Sequence, residues 1–190
     1  MSALPLPGRV AATAGPATPA VSEGREFAWT NADFSRVQKL IYQRAGISLH
    51  DGKHAMVYSR LSRRLRDTGH TSFEEYLGWL ESQDGPEWQE FVNALTTNLT
   101  AFFREQHHFD NLTGILKRRP GGPWRIWCSA ASTGEEPYSI VVTVLQTLGA
   151  GVPFELFASD IDTRVLETAS RGVYRSQGLK GLTQEQLQRF

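Results

Sequence analysis

The chain has 190 residues, 20 lysines and arginines balanced by 20 aspartates and glutamates, and one cysteine. That length holds one domain or two small ones. The zero net charge argues against a general nucleic-acid binder, and the single cysteine excludes an internal disulfide and a cysteine-rich zinc site. The longest apolar runs fall far short of a bilayer span. Residues 1–24 are rich in Ala, Pro, Gly and Ser and have no apolar core of a secretory signal. They are expected to form a disordered tail, and the protein is expected to be cytoplasmic.

Residues 25–97 read as a helical domain. Thr30 with Asp33 resembles a capping box ahead of the stripe Phe34, Val37, Ile41, and Gly46 ends that helix. A second helix is expected from about Lys53 to Asp67, closed by Gly69. Ser72 with Glu75 caps a third, bearing Tyr76, Leu77 and Trp79, and a fourth carries Trp88, Phe91, Val92 and Leu95. Short connections make these four a small bundle. After Asn98 a further helix (Phe109, Leu112, Ile115, Leu116) runs to the break at residues 120–123.

The stretch WCSAASTGEEPYS, Trp127 to Ser139, then reads as strand, tight turn and helix. Pro137 suits the start of a helix, and an apolar run follows it. The turn carries one glycine, Gly134, and two carboxylates, Glu135 and Glu136. A dinucleotide site wants G-x-G-x-x-G beside a bare helix N-terminus, and two glutamates there would repel a pyrophosphate. The turn suits a cofactor with a cationic end and no phosphate, and S-adenosylmethionine has an ammonium, a sulfonium and a ribose diol. A second strand, Phe154 to Ser159, ends in Asp160, Ile161, Asp162. Ligands in open α/β sheets sit at the carboxyl ends of strands, so Asp160 is a candidate acceptor for the ribose hydroxyls. Its alternative reading is a helix cap, a role assigned to Asp162. Leu182 to Phe190 reads as a last helix capped by Thr183. Cys128 is read as an inert core residue that could line the pocket. The adjacent His107 and His108 are expected on different sides of a helix, and no metal site is expected.

NLTAFFRE (Asn98 to Glu105), STGEEPYSI (Ser132 to Ile140) and ASDID (Ala158 to Asp162), in this order, resemble the bacterial chemotaxis receptor methyltransferases, the CheR family. Family-like stretches also occur in SRLSRRLR (Ser59 to Arg66) and RGVYR (Arg171 to Arg175), so the similarity runs from about Phe27 to Phe190. The resemblance implies an α plus α/β protein. A small N-terminal helical bundle (residues 25–97) is followed by the start of a Rossmann-like class I S-adenosylmethionine-dependent methyltransferase domain (residues 98–190). It implies S-adenosyl-L-methionine as cofactor and methylation of glutamate side chains on chemoreceptors, the adaptation step of bacterial chemotaxis. By the family's motif, Asn98, Thr100 and Arg104 contact the cofactor near the reaction centre, with Arg104 the catalytic candidate. Glu136 and Asp160 are expected to hold polar groups of the cofactor. The alternative for Asn98 or Thr100 is a simple helix cap, and Phe102 and Phe103 read as core. The complete enzyme is expected to be a monomer.

On a helical wheel Lys53, Arg60, Arg63 and Arg64 share one face of the second helix, and no acid interrupts Gly52 to Arg66. Such a face is often only solvated, but it also suits docking of an acidic partner. Receptor cytoplasmic helices bearing glutamates fit that role better than nucleic acid, and no membrane insertion is expected. A class I fold has more strands than the two found before Phe190, so the catalytic domain is expected to be incomplete. Ile126, Trp127, Phe154, Leu156 and Phe157 are then expected to lack sheet neighbours and covering helices, and the chain alone is expected not to methylate receptor. A competing reading is a non-catalytic binding or regulatory module that keeps the helical domain and part of the cofactor site. A nicotinamide-linked oxidoreductase is disfavoured by the missing G-x-G-x-x-G.

Overall fold

The computed structural model describes residues 24–190; apart from Gly24, the tail expected over residues 1–24 lies outside them. Helix α1 (Asn31–Ala45) begins at a true capping box. The Thr30 hydroxyl accepts the Asp33 N–H at 3.1 Å, and the Asp33 carboxylate accepts the Thr30 N–H at 2.9 Å. Gly46 ends α1 at φ 68°, the left-handed conformation a helix terminus favours. A 3₁₀ turn at Asp51–Lys53, capped by His50, leads into α2 (His54–Thr68). Helices α3 (Phe73–Glu81) and α4 (Glu87–Leu95) complete the bundle.

The apolar stripes meet in one core that includes Phe34, Val37, Ile41, Val57, Leu61, Leu65, Tyr76, Leu77 and Phe91. Burying each such side chain contributes roughly 1.5–3 kcal/mol, which is what holds short helices that would melt in isolation. Trp79, read from sequence with the stripe, is instead 37% exposed and lies against His70, with ring centroids 4.8 Å apart.

A polar network stitches α2 to α3 and α4 inside this core. Arg64 grips Glu87 with both ends of its fork, Nε to Oε1 at 2.9 Å and Nη2 to Oε2 at 2.6 Å. The buried Tyr76 hydroxyl donates to Glu87 Oε1 at 2.7 Å. Burial, then the Glu87 carboxylate, pushes the Tyr76 hydroxyl pKa up, and hydrogen bonding to Glu87 pushes that of Arg64 up. Arg64 was expected to offer its charge to a partner, yet its side chain is only 12% exposed and is committed to the bundle.

The second half is built on a β–α–β unit. Helix α5 (Gln106–Arg118) precedes β1 (Trp124–Cys128), α6 (Glu135–Leu148), β2 (Phe154–Ala158), α7 (Thr163–Arg171) and the short α8 (Gln184–Arg189). The two strands are parallel, in register from Trp124 opposite Phe154 to Cys128 opposite Ala158. Alternation along each strand separates two faces. Ile126, Phe154 and Leu156 pack with Phe109, Leu116, Ile140 and Val144 of α5 and α6, so these three do have covering helices, contrary to expectation. Trp127 and Phe157 point the other way and are 68% and 67% exposed.

Removing one partner of a buried ion pair leaves the other charge uncompensated, which costs about 3–5 kcal/mol. Glu87→Ala is therefore expected to lower the unfolding free energy of the bundle by that amount in urea titration. A loss below about 1 kcal/mol would show that the Arg64–Glu87–Tyr76 network is incidental.

Candidate active site

The turn from β1 into α6 is tightly specified. Its backbone passes through two left-handed residues, Ser132 at φ 48° and Gly134 at φ 102°. A Cβ on Gly134 would overlap the Tyr174 hydroxyl and press on Ala169 at 3.0 Å, so the position admits only glycine. Tyr174 closes over the turn by donating its hydroxyl to the Thr133 carbonyl at 2.8 Å. Glu135 accepts from Thr133 Oγ1 at 2.6 Å, whereas Glu136 is exposed and touches the Cys128 thiol at 3.6 Å. Ser139 on α6 donates to the Glu135 carbonyl at 2.6 Å and accepts the Phe103 N–H at 3.0 Å. That bond pins the segment Asn98 to Glu105 against the start of α6.

The tip of β2 supplies the second half of the site. Asp160 accepts the Ser132 N–H at 2.8 Å on one oxygen and the Asp162 N–H at 2.9 Å on the other. Both bonds are to backbone, so the carboxylate is fixed while each oxygen keeps a free lone pair. Asp162 caps α7 by accepting the Arg164 N–H at 3.0 Å, as the sequence suggests. Its other oxygen accepts from Thr96 Oγ1 at 2.9 Å and Asn98 Nδ2 at 2.6 Å. One N–H of the Asn98 amide is thus committed to Asp162, at the joint between the bundle and the β–α–β unit, while the residue still lines the cleft.

These elements enclose a cleft of about 680 Å³ that gathers Asn98, Thr100, Arg104, Glu136 and Asp160, with Lys53 on its bundle side. Arg104 is exposed and donates Nη1 to the Leu99 carbonyl at 2.7 Å, leaving its other N–H groups without a partner among the described residues. Phe102 is buried against Tyr174, and Phe103 packs on Phe109. Lys53, which ends the 3₁₀ turn ahead of α2, does not join the three arginines of that helix. Arg60, Arg63 and Arg64 line a separate depression with Arg164, and Arg60 Nη1 donates to the Thr96 carbonyl. Ser132, His50 and His108, which line the cleft, and the Thr96–Asp162 bond were not anticipated. An N-cap is legible in sequence, but a hydroxyl 66 positions earlier that shares the cap is not.

His107 and His108 do not diverge as expected: their ring centroids are 4.1 Å apart. Among the described residues no three His, Cys, Asp or Glu side chains come together as a metal site. Burial, and then the Glu136 carboxylate, pushes the Cys128 thiol up to about 11. At pH 8 its thiolate fraction should be about 100-fold below that of an unperturbed thiol near pKa 9. Iodoacetamide is thus expected to alkylate folded Cys128 on the order of 100-fold more slowly than the urea-unfolded chain. Equal rates would mean that Cys128 is open and unperturbed.

Two family models match the chain. "CheR methyltransferase, all-alpha domain" matches residues 32–96, and "CheR methyltransferase, SAM binding domain" matches residues 98–190. Similar curated proteins include the chemotaxis protein methyltransferase of Escherichia coli (strain K12), 58% identical over 166 residues, which cover 86% of this chain and 58% of that protein. That of Salmonella typhimurium is 55% identical over 168 residues, covering 87% of this chain and 58% of the relative. Chemotaxis protein methyltransferase 2 of Pseudomonas aeruginosa is 50% identical over 169 residues, 87% of this chain and 60% of the relative. The chain therefore spans about three fifths of the length of these relatives. With a helical bundle and a β–α–β unit each matched by its own model, and ordered motifs meeting in one cleft, the chain belongs to the CheR methyltransferase family.

Proposed function

We propose that the whole protein transfers a methyl group from S-adenosylmethionine to glutamate side chains of chemoreceptors, in the cytoplasm, as an adaptation step of bacterial chemotaxis. The observation that carries this reading is the cleft itself: a fixed carboxylate, an exposed carboxylate and an exposed guanidinium face one space without a phosphate cradle.

The donor set fits the cofactor. Asp160, held by two backbone N–H groups, offers remaining lone pairs to a ribose diol. Glu136 offers negative charge to an ammonium or sulfonium, and Arg104 offers a planar fork to a carboxylate. Thr100 adds a polar contact. Asn98 lines the cleft with one N–H tied to Asp162, which leaves its other N–H and its carbonyl oxygen for the cofactor. When bound, S-adenosylmethionine supplies an electrophilic methyl group on a cationic sulfur, open to in-line displacement by a carboxylate. The substrate glutamate, with an ordinary pKa of ~4.3, is ionised at neutral pH, so the cleft needs no general base. Burial and the Glu136 carboxylate raise the Cys128 thiol pKa, which disfavours it as a competing nucleophile. The residues' work is to position two groups and exclude water, which is worth roughly 7–11 kcal/mol in well-oriented reactions.

The basic face of α2 supports docking of acidic receptor helices. Lys53 sits beside the cleft, Arg60 and Arg63 sit on the neighbouring depression, and Arg64 braces the helix that carries them. The names of the relatives, chemotaxis protein methyltransferases, support the same pathway.

Titration with S-adenosylhomocysteine, by calorimetry or by NMR shifts where binding is weak, tests the cofactor reading. Binding is expected for this nucleoside and not for NAD, and Asp160→Ala is expected to weaken it by ~1–3 kcal/mol, the range for hydrogen bonds to a charged group. Undiminished affinity in the Asp160→Ala chain would remove Asp160 from the site, and preference for NAD would overturn the assignment.

A further inference from the structure

The depression beside α2 is not a property of the bundle alone. It measures about 330 Å³, and Arg60, Arg63 and Arg64 of α2 line it together with Arg164, which belongs to α7 in the other half of the chain. The acids around these four arginines are already occupied. Glu87 is held by Arg64 and Tyr76, Asp67 by Arg64, and Glu90 by Arg164. These contacts fix guanidinium groups without using all their N–H donors, since each carries five. Arg63 is exposed and has no hydrogen-bond or ion-pair partner among the described residues. Arg164 is 55% exposed. Its backbone N–H binds the Asp162 cap, so the position of this arginine is set by the same turn that presents Asp160 to the cleft.

We infer that Arg164 extends the docking surface across the joint between the two halves, and that the depression receives a carboxylate side chain of an acidic helical partner. The inference rests on the receptor-docking reading of α2 and goes beyond it, because Arg164 lies outside that helix and its side chain does not line the cofactor cleft. Guanidinium groups brought to one depression by two different elements suit a carboxylate approached from outside, whereas a lone basic helix would bind any acidic surface. With the docking residues on both sides of the joint, a bound acidic helix would be registered relative to the Asp160 cleft and not only to the bundle.

The full chain can be titrated with a synthetic helical peptide bearing glutamates along one face, and with the same peptide carrying glutamines. Fluorescence anisotropy at low and high salt reads the affinity, and thermal unfolding checks the fold. Arg164→Gln is expected to weaken binding of the glutamate peptide by about 2- to 5-fold, the range for one exposed ion pair, with the loss shrinking at high salt. Arg164→Lys, which keeps the charge but loses the planar fork, should fall between the unsubstituted chain and Arg164→Gln, and Arg125→Gln, an exposed arginine on the sheet, should have no effect. The outcomes separate the two ideas. If Arg63→Glu weakens binding and Arg164→Gln does not, α2 docks the partner and the extension to α7 is wrong. If neither changes it, both readings fail. Equal affinity for the glutamine peptide, or tighter binding of a DNA duplex, would equally overturn the carboxylate site.

Discussion

The buried carboxylate of Asp162 is the contact on which the arrangement of the two halves depends. It is 3% exposed and receives three donors: the Arg164 N–H, the Thr96 hydroxyl and the Asn98 amide. A carboxylate removed from water without partners would cost several kcal/mol, so these bonds are a condition of its burial and not an ornament. They tie the N-terminus of α7 to the chain leaving α4. Gln89 and Asn93 of α4 add bonds to the Ile161 carbonyl and to Thr163, at 2.8 and 3.3 Å. Two residues before Asp162, Asp160 uses its own carboxylate to brace the Asp162 N–H and the Ser132 N–H. One acidic turn thus sets the joint, the β1–α6 turn and the wall of the cleft.

The charge distribution follows from this geometry. Carboxylates at the start of a helix are favourable partners of its dipole, which stabilises Glu135 and Glu136 at the head of α6. The same residues make that helix end a poor seat for phosphate and a good one for a cation. Across the cleft stand Arg104 and Lys53, and on the outer side of the joint stands the arginine-lined depression. On the proposed assignment, a ligand with an ammonium, a carboxylate and a diol would find a complementary group for each, and an acidic partner would meet positive charge outside.

Much of this was legible in the sequence. The capping box at Thr30, the cap at Thr183, the left-handed glycines at 46 and 69, and the period of the apolar stripes are local signals, and the helices follow them closely. The strand tips also fall where apolar runs give way to Asp160 and Gly134. What escaped reading depends on residues distant in the chain. Arg64 looked like a free cation because Glu87, 23 positions on, cannot be assigned to it from spacing. The bond from Asn98 to Asp162 is equally invisible, because the two residues are 64 positions apart. Ile126, Phe154 and Leu156 looked uncovered because α5 and α6 were not expected to cover one face of even a two-stranded sheet, while Trp127 and Phe157 remain bare on the other.

If the Asp162 turn positions the cofactor wall, disturbing it should be felt at a site that Asp162 does not line. The direct measurement is the S-adenosylhomocysteine affinity of Asp162→Asn, a position outside the cleft lining whose substitute keeps a side-chain oxygen for the helix cap. The chain should keep its helical circular dichroism and bind on the order of tenfold more weakly, a difference of about 1.4 kcal/mol in line with the loss of a charge-assisted hydrogen bond. Undiminished affinity in a folded Asp162→Asn chain would contradict the account, because Asp160 would then be held in place without the turn.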